Sequence, residues 1–336
     1  MSIKLRIKDS LCILKDSEDH YVFISSATRR VKKFKVDSLV KDIVRALESE
    51  PLERGLIEKL SSIYNEKDIR LCLEGLEREG LVRRYEENLG KERYSKQLLF
   101  LDELTDSQKE TLELQRRIEK SKIAVFGVGG IGTWIVNGLY QMGVGEIRVT
   151  DSDIVEENNL NRLLFFDSGD IGRYKVDILK AKLKDANIVP FKKRVESQQN
   201  LADIVFGCNF LVNCADSPSI AETTSIIDGY SSKNDIAYCV AGGYNLHLGM
   251  IGPIIIPGVT KTFDDFIRYQ RETDSLKDLE EIRGVRKTGN LGPIAGAIAN
   301  IQLMEIFKYL TGKGKININR FAEIDFMDFN VEWKEF

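Results

Sequence analysis

A glycine-rich segment constrains the fold of this chain more than any other feature of its sequence. Residues 127–132 read GVGGIG, directly follow the apolar run KIAVF at 122–126, and open a predicted helix over 131–142. Glycines at this position allow a tight turn, and the start of the helix offers free N–H groups and a positive dipole to a phosphate. A glycine turn that only packs a helix on a strand is the alternative. The segment predicts a nucleotide site with the cofactor-binding residues Gly127, Gly129, Gly130 and Gly132.

Alternating apolar runs and helical stretches around this segment predict an α/β fold. A second strand at 146–150 completes a βαβ unit, and a long apolar helix is predicted at 293–310. Further strands are expected at residues 191–195, 210–214, 236–240 and 251–256, with a final pair at 315–318 and 320–325. Because continuous apolar runs are typical of buried parallel strands, we expect a mainly parallel sheet of the Rossmann-like kind.

The first ninety residues predict a separate, small α+β domain. Short strands are expected at 4–7, 11–14 and 21–25, three helices between 36 and 79, and a returning strand at 81–85. Strands, three helices and a closing strand form a winged-helix-like pattern. The polar connector at 86–92 places the boundary near residue 90, which gives domains at 1–90 and 91–336.

Composition argues against several classes of protein. The formal charge is −3 over 336 residues, so no global polycation is available to hold nucleic acid. No apolar run approaches the roughly 18–20 residues of a membrane helix, and the first residues lack a signal-peptide pattern. None of the five cysteines is spaced as CxxC, which argues against a zinc site of two such pairs and a secreted disulfide framework. We therefore expect a cytoplasmic protein without nucleic-acid or membrane partners.

Charged residues after the second predicted strand indicate which nucleotide is bound. Asp151 ends that strand, where a carboxylate accepts ribose hydroxyls in NAD and ATP enzymes alike. Asp153, Asn159 and Arg162 follow, and Lys175 comes shortly after. A dinucleotide needs few cations, whereas an arginine and a lysine in one crevice suit a triphosphate that loses pyrophosphate. Solvated surface charges are the alternative for Arg162 and Lys175.

Asp216 comes directly after the strand predicted at 210–214. Ligands bind beyond the carboxyl ends of the strands in open α/β sheets, so this carboxylate could hold Mg²⁺ as a hard oxygen ligand. Because Ser217 and a helical stretch follow, a helix N-cap is an equally good interpretation of Asp216.

Six motifs occur along the chain in an order that resembles a known superfamily: RYSKQ, GVGGIG, DSDIVEENNLNR, GRYK, NCAD and LGPIAGAIANIQLMEIFKYLTG. Over residues 93–329 they resemble the E1-like adenylating enzymes, which include ThiF, MoeB and the ubiquitin-activating enzymes. The resemblance implies a homodimer that binds ATP and Mg²⁺, adenylates a carboxylate and releases pyrophosphate. By motif it places ATP against Gly129 and Gly130, the ribose at Asp151, the phosphates at Asn159, Arg162 and Lys175, and Mg²⁺ at Asp216. Asp153 joins the cofactor-binding set.

The chain departs from this superfamily at three places. Lys96 stands where the RYSRQ motif has an arginine that reaches ATP in the other subunit, so we expect a catalytic role across the dimer for Lys96, without the planar fork of arginine. The zinc cysteines of the superfamily are missing, so no zinc is expected. The stretch 262–291 holds no cysteine, which disfavours a relay through an enzyme thioester.

The front domain suggests which carboxylate is activated. Its order of strands and helices resembles the PqqD-like domains, which recognise a leader peptide as an added β-strand. The strand at 21–25 is the expected edge, and the predicted peptide contacts are Tyr21, Phe23, Leu71, Leu73 and Leu76. The basic run at 29–35 leaves two alternatives open, a DNA-binding winged helix and a scaffold or dimerisation role.

A leader clamp in front of a zinc-free adenylating domain resembles the peptide-antibiotic enzymes of the microcin C and pantocin type. The resemblance implies adenylation of a carboxylate on a ribosomally made precursor peptide, followed by condensation or cyclisation. Adenylation of a sulfur-carrier protein is the first alternative, and an NAD-dependent dehydrogenase is the second. A protein that only binds and dimerises through a degenerate domain is the non-enzymatic alternative.

Overall fold

The computed structural model describes residues 3–86, 93–274 and 289–336. The chain divides into two compact units, Met1–Arg116 and Arg117–Phe336. The boundary predicted near residue 90 falls outside the described ranges, so the division into 1–90 and 91–336 stays a prediction. Part of the cysteine-free stretch 262–291 also lies outside them.

The first unit begins with four strands, continues with three helices and returns through a fifth strand. Its elements are β1 (Lys4–Ile7), β2 (Leu11–Ser17), β3 (His20–Ser25), β4 (Val31–Lys35), α1 (Ser38–Leu47), α2 (Glu53–Leu60), α3 (Glu66–Arg78), β5 (Val82–Tyr85) and α4 (Ser95–Asp102), and α5 (Gln108–Lys120) continues into the second unit. The small α+β domain predicted from the sequence is confirmed.

Helices α1 to α3 pack together because the apolar residues of each lie on one face. The Asp37 side chain accepts a hydrogen bond from the Val40 N–H at 2.9 Å and so caps the start of α1. Ile43 of α1 then packs in one core with Leu56 of α2 and Leu73 of α3. Strand β1 pairs antiparallel with β5 and brings the two ends of this segment together.

A three-stranded antiparallel sheet in the order β2-β3-β4 corrects one prediction. The strand expected at the open edge, residues 21–25, belongs to β3 and lies in the middle. Strand β4 was not predicted because three of its five residues are lysines. This strand forms because Phe34 packs edge-on against Phe23, with ring centroids 5.6 Å apart, while Lys33 stays in solvent. Among the described strands, the open edges are therefore those of β2 and β4.

The second unit combines a Rossmann-like α/β arrangement with an antiparallel sheet. Its helices are α6 (Gly130–Met142), α7 (Lys175–Lys182), α8 (Gln198–Val205), α9 (Ile220–Asn234), α10 (Phe263–Thr273) and α11 (Gly292–Thr311). Its strands are β6 (Lys122–Phe126), β7 (Glu146–Thr150), β8 (Ile188–Phe191), β9 (Phe210–Asn213), β10 (Ala237–Val240), β11 (Tyr244–Asn245), β12 (Leu248–Ile251), β13 (Ile254–Ile255), β14 (Arg320–Asp325) and β15 (Asn330–Glu335).

The main sheet of this unit has the strand order β13-β10-β9-β6-β7-β8. The strands β10, β9, β6, β7 and β8 run parallel, and β13 pairs antiparallel with β10 at the edge. Val125, Ile147 and Val212 are fully buried, as the continuous apolar runs predicted. From β6 the chain adds β7 and β8 on one side of the sheet and then β9 and β10 on the other side. The segments that follow β6, β7 and β9 therefore meet at the carboxyl ends of these strands. The predicted α/β fold is confirmed.

The strand predicted at 191–195 lies earlier in the chain. It is β8 and ends at Phe191, so Lys193 and Arg194 follow its carboxyl end instead of lying within it. The run predicted as one strand at 251–256 is divided between β12 and β13. Both differences change which side chains stand at the ends of strands.

The strand predicted at 315–318 is absent from the described structure. Its backbone bonds to a helix instead, because the Asn317 N–H donates to a Glu305 carboxylate oxygen at 3.0 Å. Only Ile318 makes an isolated bridge, with Ile254. Strand β14 pairs antiparallel with β15, and β11-β12-β14-β15 form a four-stranded sheet.

No helix in the described part of the chain has both the length and the apolar character to cross a membrane.

Candidate active site

A cavity of about 970 Å³ lies beyond the carboxyl ends of β6, β7 and β9, where the strand order reverses. This is the place where open α/β sheets bind ligands. Nine of the predicted cofactor and catalytic residues line it: Gly127, Gly129, Gly130, Asp151, Asp153, Asn159, Arg162, Lys175 and Asp216.

The glycine turn is open on one side and tightly packed on the other. Gly127 has φ +80°, and a Cβ there would lie 2.8 Å from the Cys214 carbonyl oxygen, so the turn requires glycine. A Cβ at Gly129 would meet no atom of the described residues within 4 Å, so the backbone there is open to a ligand. Gly132 does not line the cavity, and a Cβ there would clash with the Gly127 carbonyl oxygen. Its predicted role in cofactor binding is therefore replaced by a packing role.

Asp151 is fixed beside this turn by backbone groups. Its Oδ2 accepts a hydrogen bond from the Val128 N–H at 2.9 Å, and its Oδ1 accepts one from the Asp153 N–H at 2.8 Å. Burial raises the pKa of the Asp151 carboxyl, while Lys175 and the two backbone N–H groups act in the opposite direction. The carboxylate is thus positioned to accept hydroxyl groups of a ribose.

Lys175 brings a buried positive charge to the cavity. Only 7% of its surface is exposed, and its Nζ donates to Asp153 Oδ2 at 3.1 Å. Arg194 Nη2 lies 3.6 Å from Asp153 Oδ1, and Arg194 Nε donates to Ser152 Oγ at 2.8 Å. One carboxylate therefore lies between two cations, and an arriving phosphate can take its place at either of them.

Arg162 follows a short 3-10 helix, Glu157–Asn159, that holds it at the cavity. Its Nη1 donates to the Asn158 carbonyl oxygen at 2.5 Å. Asn159 Oδ1 accepts from the Glu156 N–H at 3.2 Å, and Asn159 Nδ2 donates to Asn158 Oδ1 at 2.6 Å. Both ends of the Asn159 amide are thus held within the turn that precedes Arg162. The predicted contact of Asn159 with the phosphates stays a prediction.

Asp216 presents a carboxylate without a partner to the cavity. It is exposed and makes no hydrogen bond or ion pair with any described residue. Ser219 caps α9 instead, since its Oγ accepts from the Glu222 N–H at 3.2 Å, so the N-cap interpretation of Asp216 is wrong. A single carboxylate suits Mg²⁺ when phosphate oxygens and waters complete the coordination. Within the described ranges, no three His, Cys, Asp or Glu side chains form a metal site of their own.

Several residues that line the cavity were not predicted from the sequence, among them Lys193, Arg194 and Tyr244. The available signal for the first two was the run KKR at 192–194, which the displaced strand prediction placed inside β-structure. The Tyr244 hydroxyl lies 3.0 Å from the position of a Cβ on Gly130, so it covers the start of α6. Burial raises the pKa of Tyr244, Arg162 opposes this, and Asp216 adds to it.

A second cavity, of about 370 Å³, lies between β4 and α3 in the first unit. Two of the five predicted peptide contacts, Phe23 and Leu76, line it. Leu73 is only 1% exposed in the core, and Leu71 is 55% exposed without lining the cavity, so the structure does not bring the three predicted leucines to one surface. Tyr21 does not line the cavity either. Leu73 and Leu76 are three residues apart and share one side of α3, whereas Leu71 lies on another side.

Lys96 lies exposed on α4 in the first unit. Its expected role at the ATP of a second subunit stays a prediction. Among the cysteines of the second unit, Cys208 and Cys239 are buried and Cys214 lines the cavity.

Comparisons with known proteins agree with this geometry. The sequence pattern of the ThiF family matches residues 94–336. The SAMP-activating enzyme E1 of Haloferax volcanii is 27% identical over 245 residues, which cover 72% of this chain and 83% of that protein. The sulfur carrier protein ThiS adenylyltransferase of Escherichia coli is 26% identical over 228 residues, which cover 66% and 81%. UBA4 of Saccharomyces cerevisiae, an adenylyltransferase and sulfurtransferase, is 25% identical over 59% of this chain, which spans only 43% of its length.

Solved structures share the fold over nearly the whole chain. PaaA superimposes with a TM-score of 0.75 and 22% identity, covering 98% of this chain and 99% of PaaA. MccB of E. coli with ATP gives a TM-score of 0.73 and 17% identity, covering 99% and 96%. These matches include the small front unit. Because the family pattern covers well over half of the sequence, the chain belongs to the ThiF family.

Proposed function

We propose that the chain catalyses ATP-dependent adenylation of a carboxylate. A carboxylate oxygen attacks the α-phosphorus of ATP, the bond from that phosphorus to the bridging oxygen breaks, and pyrophosphate leaves with the electron pair. The observation that carries the proposal is the convergence of Arg162, the buried Lys175 and the unpaired Asp216 on one cavity beside the glycine turn. Such a transfer needs in-line positioning and neutralisation of charge more than it needs a protein nucleophile.

The nucleotide would be held by its ribose and phosphates. The N–H groups at the start of α6 face the phosphates, and Asp151 accepts the ribose hydroxyls. Lys175 exchanges Asp153 for a phosphate oxygen, while Arg194 continues to neutralise Asp153. Arg162 stabilises the charge that develops on the departing pyrophosphate.

Asp216 would hold Mg²⁺ in this proposal. Its carboxylate is the right chemistry for a hard cation, and it has no competing partner among the described residues. When bound, the metal supplies Lewis-acid neutralisation of phosphate oxygens.

An NAD-dependent dehydrogenase fits this cavity less well. The glycine turn and Asp151 serve either nucleotide, but four basic side chains line the cavity: Arg162, Lys175, Lys193 and Arg194. Four acidic residues line it too, so the number of cations and not the net charge carries the argument: Asp151, Asp153, Glu156 and Asp216. The pyrophosphate of a dinucleotide is met largely by backbone N–H groups, so several cations in one crevice favour a triphosphate. Membership of the ThiF family supports the same choice.

We further propose that the carboxylate belongs to a ribosomally made precursor peptide whose leader binds the first unit. The support is the cavity between β4 and α3, which lies beside an open strand edge where a peptide can add as a strand. MccB, a microcin C7 biosynthetic enzyme, shares the fold of both units and has been solved in complex with N-formylated MccA. A peptide nucleophile would then displace AMP, which gives condensation or cyclisation in peptide natural-product biosynthesis.

The relatives favour one second candidate, adenylation of the C-terminus of a sulfur-carrier protein. The E. coli relative is named for the sulfur carrier protein ThiS, and it covers 66% of this chain. The first unit gives no evident reason for such a substrate, so we place this candidate second.

Peptide-dependent exchange of pyrophosphate into ATP tests the proposed function. Candidate short peptides encoded near the gene are co-expressed with the chain and are then analysed by mass spectrometry. We expect exchange only with the precursor present, together with loss of water for condensation or an added nucleotide mass for a microcin C-like product. NAD binding without exchange would contradict adenylation. Equal exchange with a sulfur-carrier protein and an unmodified peptide would favour the second candidate.

A further inference from the structure

The open edge of β4 is strongly basic. The segment from Ser26 to Val36 reads SATRRVKKFKV, with five basic residues and no acidic one. On β4 itself, Lys33 and Lys35 are 53% and 77% exposed. Glu79, Asp16 and Asp19 pair with the three lysines of β4, so this positive charge is partly offset, and an acidic occupant would offset the rest.

The backbone of β4 is ready to receive a strand. The Ser25 N–H donates to the Arg30 carbonyl oxygen at 2.9 Å, which marks these two residues as a hydrogen-bonded pair of the ladder. Such pairs alternate in antiparallel sheets, so every second residue of β4 bonds to β3. The backbone N–H and C=O groups that point to the open edge are therefore those of Val31, Lys33 and Lys35.

Side chains of an added strand would meet two different surfaces. On one face lies the 370 Å³ cavity between β4 and α3, which Phe34, Val40, Cys72 and Leu76 line together with other residues. The acid in its lining, Glu79, is already neutralised, because Lys32 Nζ lies 2.7 Å from its Oε2. On the other face lies Lys33. Lys35 and Arg78 belong to the cavity lining, so the lining itself includes two cations beside its apolar residues. Alternate residues of the occupant would therefore meet a mainly apolar cavity and the basic face that carries Lys33.

We infer that the occupant of this edge is an acidic, extended peptide segment that pairs with β4. Its apolar side chains enter the cavity at alternate positions, and its Asp or Glu side chains lie beside Lys33 and Lys35. The inference rests on the proposed function, because it defines the chemistry of the leader. Asp16 and Asp19 now lie 2.6 and 3.9 Å from these lysines, and exposed pairs of this kind exchange partners at little cost.

A nucleic acid suits this edge less well. Phosphates could meet the lysines, but they would leave the apolar cavity empty and the three outward backbone N–H groups without a matching ladder of acceptors. An extended acidic peptide can pair with the lysines, fill the cavity and accept hydrogen bonds from the outward N–H groups.

Selection from a displayed library of random short peptides on the full-length protein tests the inference. We expect the enriched peptides to carry Asp or Glu at alternate positions with apolar residues between them. In fluorescence polarisation, the Lys33→Glu/Lys35→Glu protein should bind them at least about tenfold more weakly. It should recover binding of peptides in which lysine replaces each acid. Lys59→Glu, an exposed substitution on α2, is the matched control and should bind as the unaltered protein does.

Circular dichroism checks that the charge-reversed protein is folded. If it is not, Lys33→Gln/Lys35→Gln replaces it, and weaker binding with a smaller salt dependence is expected. Neutral or basic enriched peptides, or undiminished binding by the variants, would overturn the inference. Displacement of bound peptide by short duplex DNA of random sequence would also overturn it and assign the edge to nucleic acid.

Pyrophosphate exchange on the same preparations separates this inference from the proposed function. Exchange with a precursor peptide that is unaffected by the lysine substitutions would refute the acidic-leader inference alone. Selective binding of acidic peptides without pyrophosphate exchange on any peptide would refute the proposed function. The inference that the β4 edge binds an acidic peptide would still stand.

Discussion

Two glycines of the turn at 127–132 should separate nucleotide binding from folding. A Cβ at Gly129 would enter open space on the cavity side, so Gly129→Ala should fold normally but weaken ATP binding at least about tenfold, or about 1.4 kcal/mol. A Cβ at Gly132 would clash with the Gly127 carbonyl oxygen, so Gly132→Ala should destabilise the fold by about 1–3 kcal/mol or more. Calorimetric titration with ATP and thermal unfolding measure the two effects. Equal ATP affinity in Gly129→Ala would contradict the site.

Asp216→Ala should abolish adenylation while ATP binding falls much less. If this carboxylate holds the metal, its loss raises the barrier by several kcal/mol, so turnover should drop by about 10²–10³-fold. Arg162→Ala should also lose mainly turnover, because we propose that Arg162 stabilises charge that develops during the reaction. Pyrophosphate exchange measures turnover, and Asp185→Ala, an exposed aspartate in the same unit, is the control. Full AMP production by folded Asp216→Ala protein would rule out its role.

Asp151 should make stability depend on pH. Burial raises its pKa in the folded protein, so the folded state binds the proton more readily than the unfolded chain does. Its contribution to stability is present below the unfolded pKa and is lost as pH rises through the folded pKa. As pH falls from 7 toward the ordinary range of an aspartate pKa, the unfolding free energy of the wild type should therefore rise relative to that of Asp151→Asn. Urea unfolding measures it, and a shift toward the variant would contradict this reasoning.

At the residue scale, sequence motifs identified nine of the residues that line the cavity. Asp151, Arg162 and Asp216 were predictable because each follows a strand or a turn at the ligand edge. Arg194 was not predictable, because its position depends on where β8 ends, and an apolar run does not define that end. Asn159 lines the cavity, but no motif could reveal that its amide is held by hydrogen bonds within the turn.

At the element scale, β4 can be tested as the receiving edge by one substitution. The Lys33 N–H points to the open side, so Lys33→Pro removes no bond of the β3–β4 ladder and is tolerated at an edge. It removes a donor that an added strand needs, so binding of the precursor peptide should fall at least about tenfold. Lys33→Ala, which removes only the charge, is the matched control and should weaken binding less. Equal peptide binding by Lys33→Pro and Lys33→Ala would argue against strand addition.

Elements with a strong apolar pattern were predicted well, and elements stabilised by tertiary contacts were not. The strands β6 and β7 and the helix α11 follow from continuous or periodic apolar residues. Strand β4 carries three lysines and forms on the packing of Phe34 against Phe23. Residues 315–318 look like a strand, yet the side chain of Glu305 binds their backbone.

At the scale of the whole molecule, a shared active site in a homodimer is testable by complementation. We propose that Lys96 of one subunit approaches ATP in the other. Mixing inactive Lys96→Ala with inactive Asp216→Ala protein should then restore about 25% of wild-type activity, since half of the dimers are mixed and each holds one intact site of two. Subunit exchange is confirmed with differently tagged chains. No recovery after exchange would argue against a shared site, and Lys96→Arg should keep activity because charge and reach are similar.

Transfer of oxygen from the peptide to AMP tests the central claim most directly. The precursor peptide is prepared with ¹⁸O in its carboxyl groups and is turned over with unlabelled ATP. If a carboxylate attacks the α-phosphorus and the acyl adenylate is then captured by a nucleophile, the carbon–oxygen bond breaks and AMP retains one peptide oxygen. Mass spectrometry should therefore find one ¹⁸O in AMP and none in pyrophosphate. Label in inorganic phosphate with ADP as product, or AMP without label, would contradict carboxylate adenylation.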